Sequence, residues 1–228
     1  MATSLHSQLK RHYVADEDRH EIDVDQYRID AVCESGTLIE IQCASLLAIR
    51  DKIRRLTKTH QVILVKPLAA RKLLLKKARR NGKVVSRRYS PTRETFPWVF
   101  QELVHFTNAF PHPNLQLDVV LTEQEEIRVP AKRKTWRRKH SVYDRSLLSI
   151  QETCSLRTVD DLWNQLDMLL PERFTTGDMA AATGMPRWLA QKAAYCFRKM
   201  NHIAACGRQG NAIEYQLCSL ESQRREAA

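Results

Sequence analysis

Two acidic residues set inside apolar, strand-prone runs constrain this chain more than any other feature. Asp30 lies in Arg28-Ile29-Asp30-Ala31-Val32 and Glu40 in Leu38-Ile39-Glu40-Ile41. Burying a carboxylate is costly unless a cation or a hydrogen-bond donor meets it, so the fold must supply a partner for each. Glu34-Ser35-Gly36 between the runs favours a turn. With that turn centred on Ser35, the runs form an antiparallel hairpin that sets Asp30 opposite Glu40. Opposed residues share a face, with Cβ atoms about 4.5–5.5 Å apart. Gln42 shares the face of Glu40, and a slip of one residue would turn Asp30 away. Two carboxylates this close repel, and a hard cation relieves the repulsion. Mg²⁺ (or Mn²⁺) is commonly held by one or two carboxylates plus water and phosphate, a combination suited to phosphodiester cleavage. The plainer alternative is that Arg28 or backbone amides satisfy each acid.

The surrounding pattern is α/β. Residues 4–14 read as an amphipathic helix with Leu5, Leu9 and Tyr13 on one face. Strand-like runs follow at 21–32 and 37–42. Residues 45–58 read as a helix. The run 61–66 reads as a buried strand ended by Pro67. Helices are expected at 69–80 and 94–109, and a strand at 115–121. The stretch 131–154 reads as a basic linker or arm. Three helices, 157–169, 175–183 and 186–200, then precede a hairpin over 202–217.

In this order, helix, strand with Asp30, strand with Glu40-Ile41-Gln42, helix, strand to Lys66, the chain resembles the PD-(D/E)xK nuclease superfamily. The resemblance implies a restriction endonuclease-like mixed sheet flanked by helices over residues 1–130. It implies that Asp30, Glu40 and the carbonyl of Ile41 hold Mg²⁺ or Mn²⁺, and that the protein hydrolyses nucleic-acid phosphodiester bonds. The third motif position, commonly lysine, is Gln42 here, which positions water but brings no charge. Lys66 could replace that charge, with Lys52 a weaker candidate. The superfamily's early acid corresponds best to Glu21, and less well to Glu17. Residues 155–228 resemble an α+β winged helix-turn-helix domain. In that family the third helix enters the major groove, which points to Arg187, Gln191 and Lys192, with Arg208 on the wing. The same fold also serves protein–protein contact.

Charge points the same way. The chain of 228 residues carries a formal net charge of +11, which favours a polyanionic partner, nucleic acid before membrane. Between Lys66 and Arg93 there are eleven Lys or Arg and no acid. A solvated helix face ordinarily mixes signs, so Lys76, Lys77, Arg79, Arg80, Arg87 and Arg88 are candidates for phosphate contact, as are Lys83 and the second run Lys132, Arg133, Arg137 and Arg138 around Trp136. Such contacts position a backbone without reading sequence. The six cysteines form no C-x-x-C pair and suit free thiols in a reducing cytoplasm. No run approaches the roughly 20 apolar residues of a membrane span. The expected partner is DNA, with a homodimer left open. Rival readings are a non-catalytic DNA-binding or regulatory protein on a degenerate nuclease fold, and a scaffold for an acidic protein.

Overall fold

The computed structural model describes residues 3–131 and 140–218. The chain divides into two units. The first comprises Met1–Cys43, His60–Thr95 and Asp118–Cys154, and the second Ala44–Thr59, Phe96–Leu117 and Ser155–Ala228.

In the first unit, α1 (Ser4–Tyr13) is followed by β1 (His20–Val24), β2 (Tyr27–Val32) and β3 (Leu38–Ile41). The run expected as one strand over 21–32 is two, because the chain turns at Asp25-Gln26. Asp25 takes φ 54° there, a left-handed value that Asp tolerates better than most residues. After α2 (Arg50–Leu56), β4 (Val62–Lys77) runs parallel to β3, and β5 (Val84–Tyr89) folds back antiparallel on β4. A short helix, α3 (Phe100–Leu103), which with α2 belongs to the second unit, precedes β6 (Leu115–Pro130) and β7 (His140–Leu156). The large sheet has the order β1-β2-β3-β4-β6-β7, with β5 on β4. Under α1, Leu5, Leu9 and Val14 pack on Ala31, Ile39, Ile41, Val65 and Val120. Each of these Leu, Ile and Val side chains contributes about 1.5–3 kcal/mol by leaving water.

Four expectations fail here. The helix expected over 69–80 is the second half of β4. Leu, Ala and Lys favour a helix locally, but Leu68, Ala69, Leu73 and Leu74 are buried in the sheet, and tertiary pairing outweighs propensity. Pro67 does not end the strand. It falls beyond the β3 ladder, which stops at Val65, and before the β5 ladder, which starts at Leu73, so its missing N–H costs no bond to either. Glu94 covers this gap: its carboxylate accepts the Ala69 N–H at 2.6 Å, and its N–H donates to the Ala69 carbonyl. Finally, residues 140–154, expected as linker, belong to β7. Its exposed residues give it the polarity of a linker, while Cys154 and Leu156 are buried. The helix expected over 94–109 is also shorter, a 3-10 turn (Phe96–Val99) leading into α3.

In the second unit, α4 (Val159–Asn164), α5 (Thr176–Thr183) and α6 (Arg187–Lys199) precede the hairpin of β8 (Ile203–Gln209) and β9 (Ala212–Leu217). Thr158 with Asp161 and Thr175 with Asp178 form capping boxes. Gly184 ends α5 at φ 68°, where a side chain would be strained. Phe197 is fully buried, with ring centroids 5.3 Å from Phe100 and 4.9 Å from Trp163. No helix among the described residues is long and apolar enough to cross a membrane.

Candidate functional site

The β2–β3 ladder pairs Val32 with Leu38 and Ala31 with Ile39. Carried one pair further, this register sets Asp30 across from Glu40. The ladder stops first, however. The Ile41 N–H donates to Oδ2 of Asp30 at 2.8 Å, so the side chain accepts a bond that a regular ladder would give to strand backbone. The same oxygen lies 3.1 Å from Nε2 of His6, on α1. Among the described residues, His6 Nδ1 is buried without a hydrogen-bond partner. Burial pushes the Asp30 carboxyl up, but the bonds from His6 and Ile41, helped by the Lys10 charge, outweigh it and hold the group below the usual range. Asp30 is therefore ionised at neutral pH.

A second acid lies nearby in the same electrostatic field. Glu21 pairs with Lys10, which is buried on α1, and with Nε of Arg28 at 2.9 Å. The bond from Lys10 is the main reason its carboxyl sits low. Arg28, a candidate partner for Asp30 or Glu40, thus meets Glu21.

Glu40 behaves differently. Its neighbours Ile39 and Ile41 both pack in the core under α1, so strand alternation turns Glu40 to the other face of β3. It is 3% exposed. The parallel register pairs Glu40 with Leu64 and Ile41 with Val65. One step on, Gln42 lies level with Lys66, which is also buried, and alternation puts both on the face of Glu40. Asp30 and Glu21 thus meet donors on α1, while Glu40, Gln42 and Lys66 share one face of β3 and β4. Among the described residues, no group of three or more His, Cys, Asp or Glu could hold a metal ion. Cys43 follows Gln42 on β3's exit, and burial pushes its thiol up to about 11, too high for a nucleophile at neutral pH.

Sequence reasoning missed His6 and Lys10. Each follows a buried leucine of α1, Leu5 and Leu9, so the two stand four residues apart on the flank of the apolar stripe. That repeat was the available signal. It also missed Glu126, which is 1% exposed and pinned by Nε of Arg128 at 2.7 Å and Nε of Arg145 at 2.9 Å.

The basic candidates lie on a hairpin rather than a helix. Lys76, Arg79, Arg80, Lys83, Arg87 and Arg88 are exposed and Lys77 is half-buried. On α6, Arg187 and Gln191 are exposed, and Lys192 lies 5.5 Å above the ring of the exposed Trp188. Arg208 is exposed on β8. Lys132, Arg133, Arg137 and Arg138 lie outside the described residues.

Fold and site together define a mixed α/β protein whose large mixed sheet is flanked by helices. Residues 3–157 match the family described as "Domain of unknown function (DUF8091)", and the chain belongs to that family. The matched region runs from α1 through β7. A protein of Treponema pallidum (strain Nichols), described as "Uncharacterized protein", is similar, with 29% identity over 179 residues, covering 78% of this chain and 71% of that protein. No solved structure matches.

Proposed function

We propose that this protein binds nucleic acid, DNA in particular, on a restriction endonuclease-like sheet joined to a winged helix-turn-helix. Two arrangements support the fold reading. The order α1-β1-β2-β3-α2-β4, with β1, β2 and β3 antiparallel and β3 parallel to β4, is the order the resemblance implies. The helices α4, α5 and α6 followed by the β8–β9 hairpin have the succession of a winged helix. The observation that carries binding is the segment from Lys66 to Arg93, with eleven cations, no acid and most of its charges in solvent. Each cation that meets a phosphate releases a counterion and adds about 0.9 to the salt slope.

A second reading, a metal-dependent nuclease using Mg²⁺ or Mn²⁺, is favoured by one observation. Asp30 is ionised beside Ile41, and its Oδ1 accepts no hydrogen bond among the described residues. The donors that already meet Oδ2 of Asp30, His6 and the Ile41 N–H, weigh against it.

Both readings meet one experiment. Binding to duplex and single-stranded DNA is titrated over a range of salt, and cleavage is followed in parallel with Mg²⁺ or Mn²⁺. The binding reading expects log Kobs to fall steeply with log salt, and no strand scission. A flat salt response would refute it. Cleavage by the natural sequence that disappears in both Asp30→Ala and Glu40→Ala would establish the nuclease instead.

A further inference from the structure

We propose that the β4–β5 ribbon enters the major groove of duplex DNA, so that the partner is double-stranded. This rests on the nucleic-acid reading above and adds the mode and the strandedness.

The ribbon is two antiparallel strands paired from Leu73 with Tyr89 to Lys77 with Val84. Two strands lie about 4.8 Å apart, and five residues rise about 17 Å. A major groove about 12 Å wide and 8.5 Å deep admits such a ribbon. All of β5 is exposed, and among the described residues it pairs with β4 alone.

The distribution of charge selects the groove over a flat surface. Leu75 pairs with Arg87, Leu74 with Arg88 and Lys76 with Ser86. Paired residues share a face and neighbours alternate, so Arg87 lies on one face and Arg88 with Lys76 on the other. Arg79 and Lys83 flank the tip, both exposed. A ribbon lying on one phosphate wall needs cations on one face only. A ribbon between two walls needs them on both, as here. None of Lys76, Arg79, Lys83, Arg87 or Arg88 makes an ion pair among the described residues.

Two further features favour a duplex. Val84 and Val85, near the tip, are 46% and 58% exposed, and apolar side chains suit the thymine methyl groups on the groove floor. Single-strand binding relies on aromatic faces for bases to stack on. The ribbon's own aromatic residue, Tyr89, is occupied: the Arg71 guanidinium lies 3.9 Å from its ring centroid, and its hydroxyl donates to Glu123 at 3.2 Å. The competing use of edge cations is to block strand-to-strand aggregation.

The test uses the full chain, a duplex of about two helical turns (~20 bp), and one of its strands alone. Arg87→Glu with Arg88→Glu should weaken duplex binding about tenfold or more and lower the salt slope by about 0.9 for each phosphate that is no longer neutralised. Arg87→Gln with Arg88→Gln gives the same reading in smaller measure should the charge-reversed chain misfold, and unchanged circular dichroism certifies the fold. Methylation of guanine N7, a major-groove atom, should interfere with binding, whereas a minor-groove ligand such as netropsin should not compete. Displacement by netropsin, an equal loss of affinity for the single strand, or aggregation of the variants with duplex affinity intact would overturn the proposal. If the natural sequence binds no DNA at low salt, the nucleic-acid reading itself falls. If it binds and the ribbon variants bind equally well, only the groove assignment falls.

Discussion

Replacing Asp30 by alanine separates a carboxylate kept for the fold from one kept for a ligand. Its Oδ2 meets both the Ile41 N–H and His6 Nε2, and the side chain is 17% exposed. A hydrogen bond to a charged group contributes about 1.5–3 kcal/mol, and a buried donor left without a partner costs about 1–3 kcal/mol. Water can reach part of the space, so the sum is discounted to about 2–4 kcal/mol of lost stability. For a chain of this size each kcal/mol moves Tm by about 2–4 °C, so a fall of roughly 5–15 °C is expected. Urea unfolding followed by circular dichroism gives the free energy directly. Acid supplies an independent check. The folded carboxyl sits below its unfolded value of about 3.9, so its contribution is complete at neutral pH. It is lost as pH falls below about 4 and through the folded value. The gap between the natural sequence and Asp30→Asn should therefore close in acid. A change within about 0.5 kcal/mol, or a gain in stability, would refute the structural role and mark Asp30 as a ligand-binding group held at a cost to the fold.

Two other perturbations address the second unit. Phe197→Ala should cost about 3–5 kcal/mol, because Phe197 is fully buried against Phe100 and Trp163; thermal unfolding with near-ultraviolet circular dichroism measures it, and a loss under about 1 kcal/mol would mean the site collapses without penalty. His202 is buried and its imidazole is held below the usual value by burial, opposed by Asp160 at 3.4 Å. The unfolded chain therefore binds a proton near pH 6.5 that the folded chain does not, and stability falls as pH drops through about 6.5 toward the folded value. In His202→Leu that part of the decline should be missing from Tm measured between about pH 7 and 5; an unchanged slope would assign it to other groups.

The sheet up to β4 was legible because turn chemistry and alternation agreed. Gly36 takes φ 82° in the turn, and the register it sets pairs Ala31 with Ile39, which matches a turn centred on Ser35. The second half of β4 was not legible, because ARKLLLKK has helical propensity and its strand is fixed by partners distant in sequence, including Tyr89 and Glu94. Register was insufficient for the partners of the site. It sets Asp30 level with Glu40, but His6 reaches the Asp30 carboxylate only because α1, distant in sequence, packs on the sheet.

The acid-in-strand signal demands a partner of some kind, and that demand is met by donors the chain already holds. His6 and the Ile41 N–H meet Asp30, Lys10 and Arg28 meet Glu21, and Arg128 and Arg145 meet Glu126. Such internal compensation draws cations of the first unit to these acids, and the sequence places none of those cations in the acid-free stretch from Lys66 to Arg93. Eight of the eleven cations of that stretch are exposed, among them both arginines of β5. Mutual repulsion among clustered cations opposes folding. On the proposed nucleic-acid reading, gathering cations along β4 and β5 while pairing buried acids locally leaves a surface whose charge a polyanion would balance. Asp30, Glu21 and Glu126 are met within the structure, and on the same reading the exposed cations of the ribbon are the groups that meet a partner.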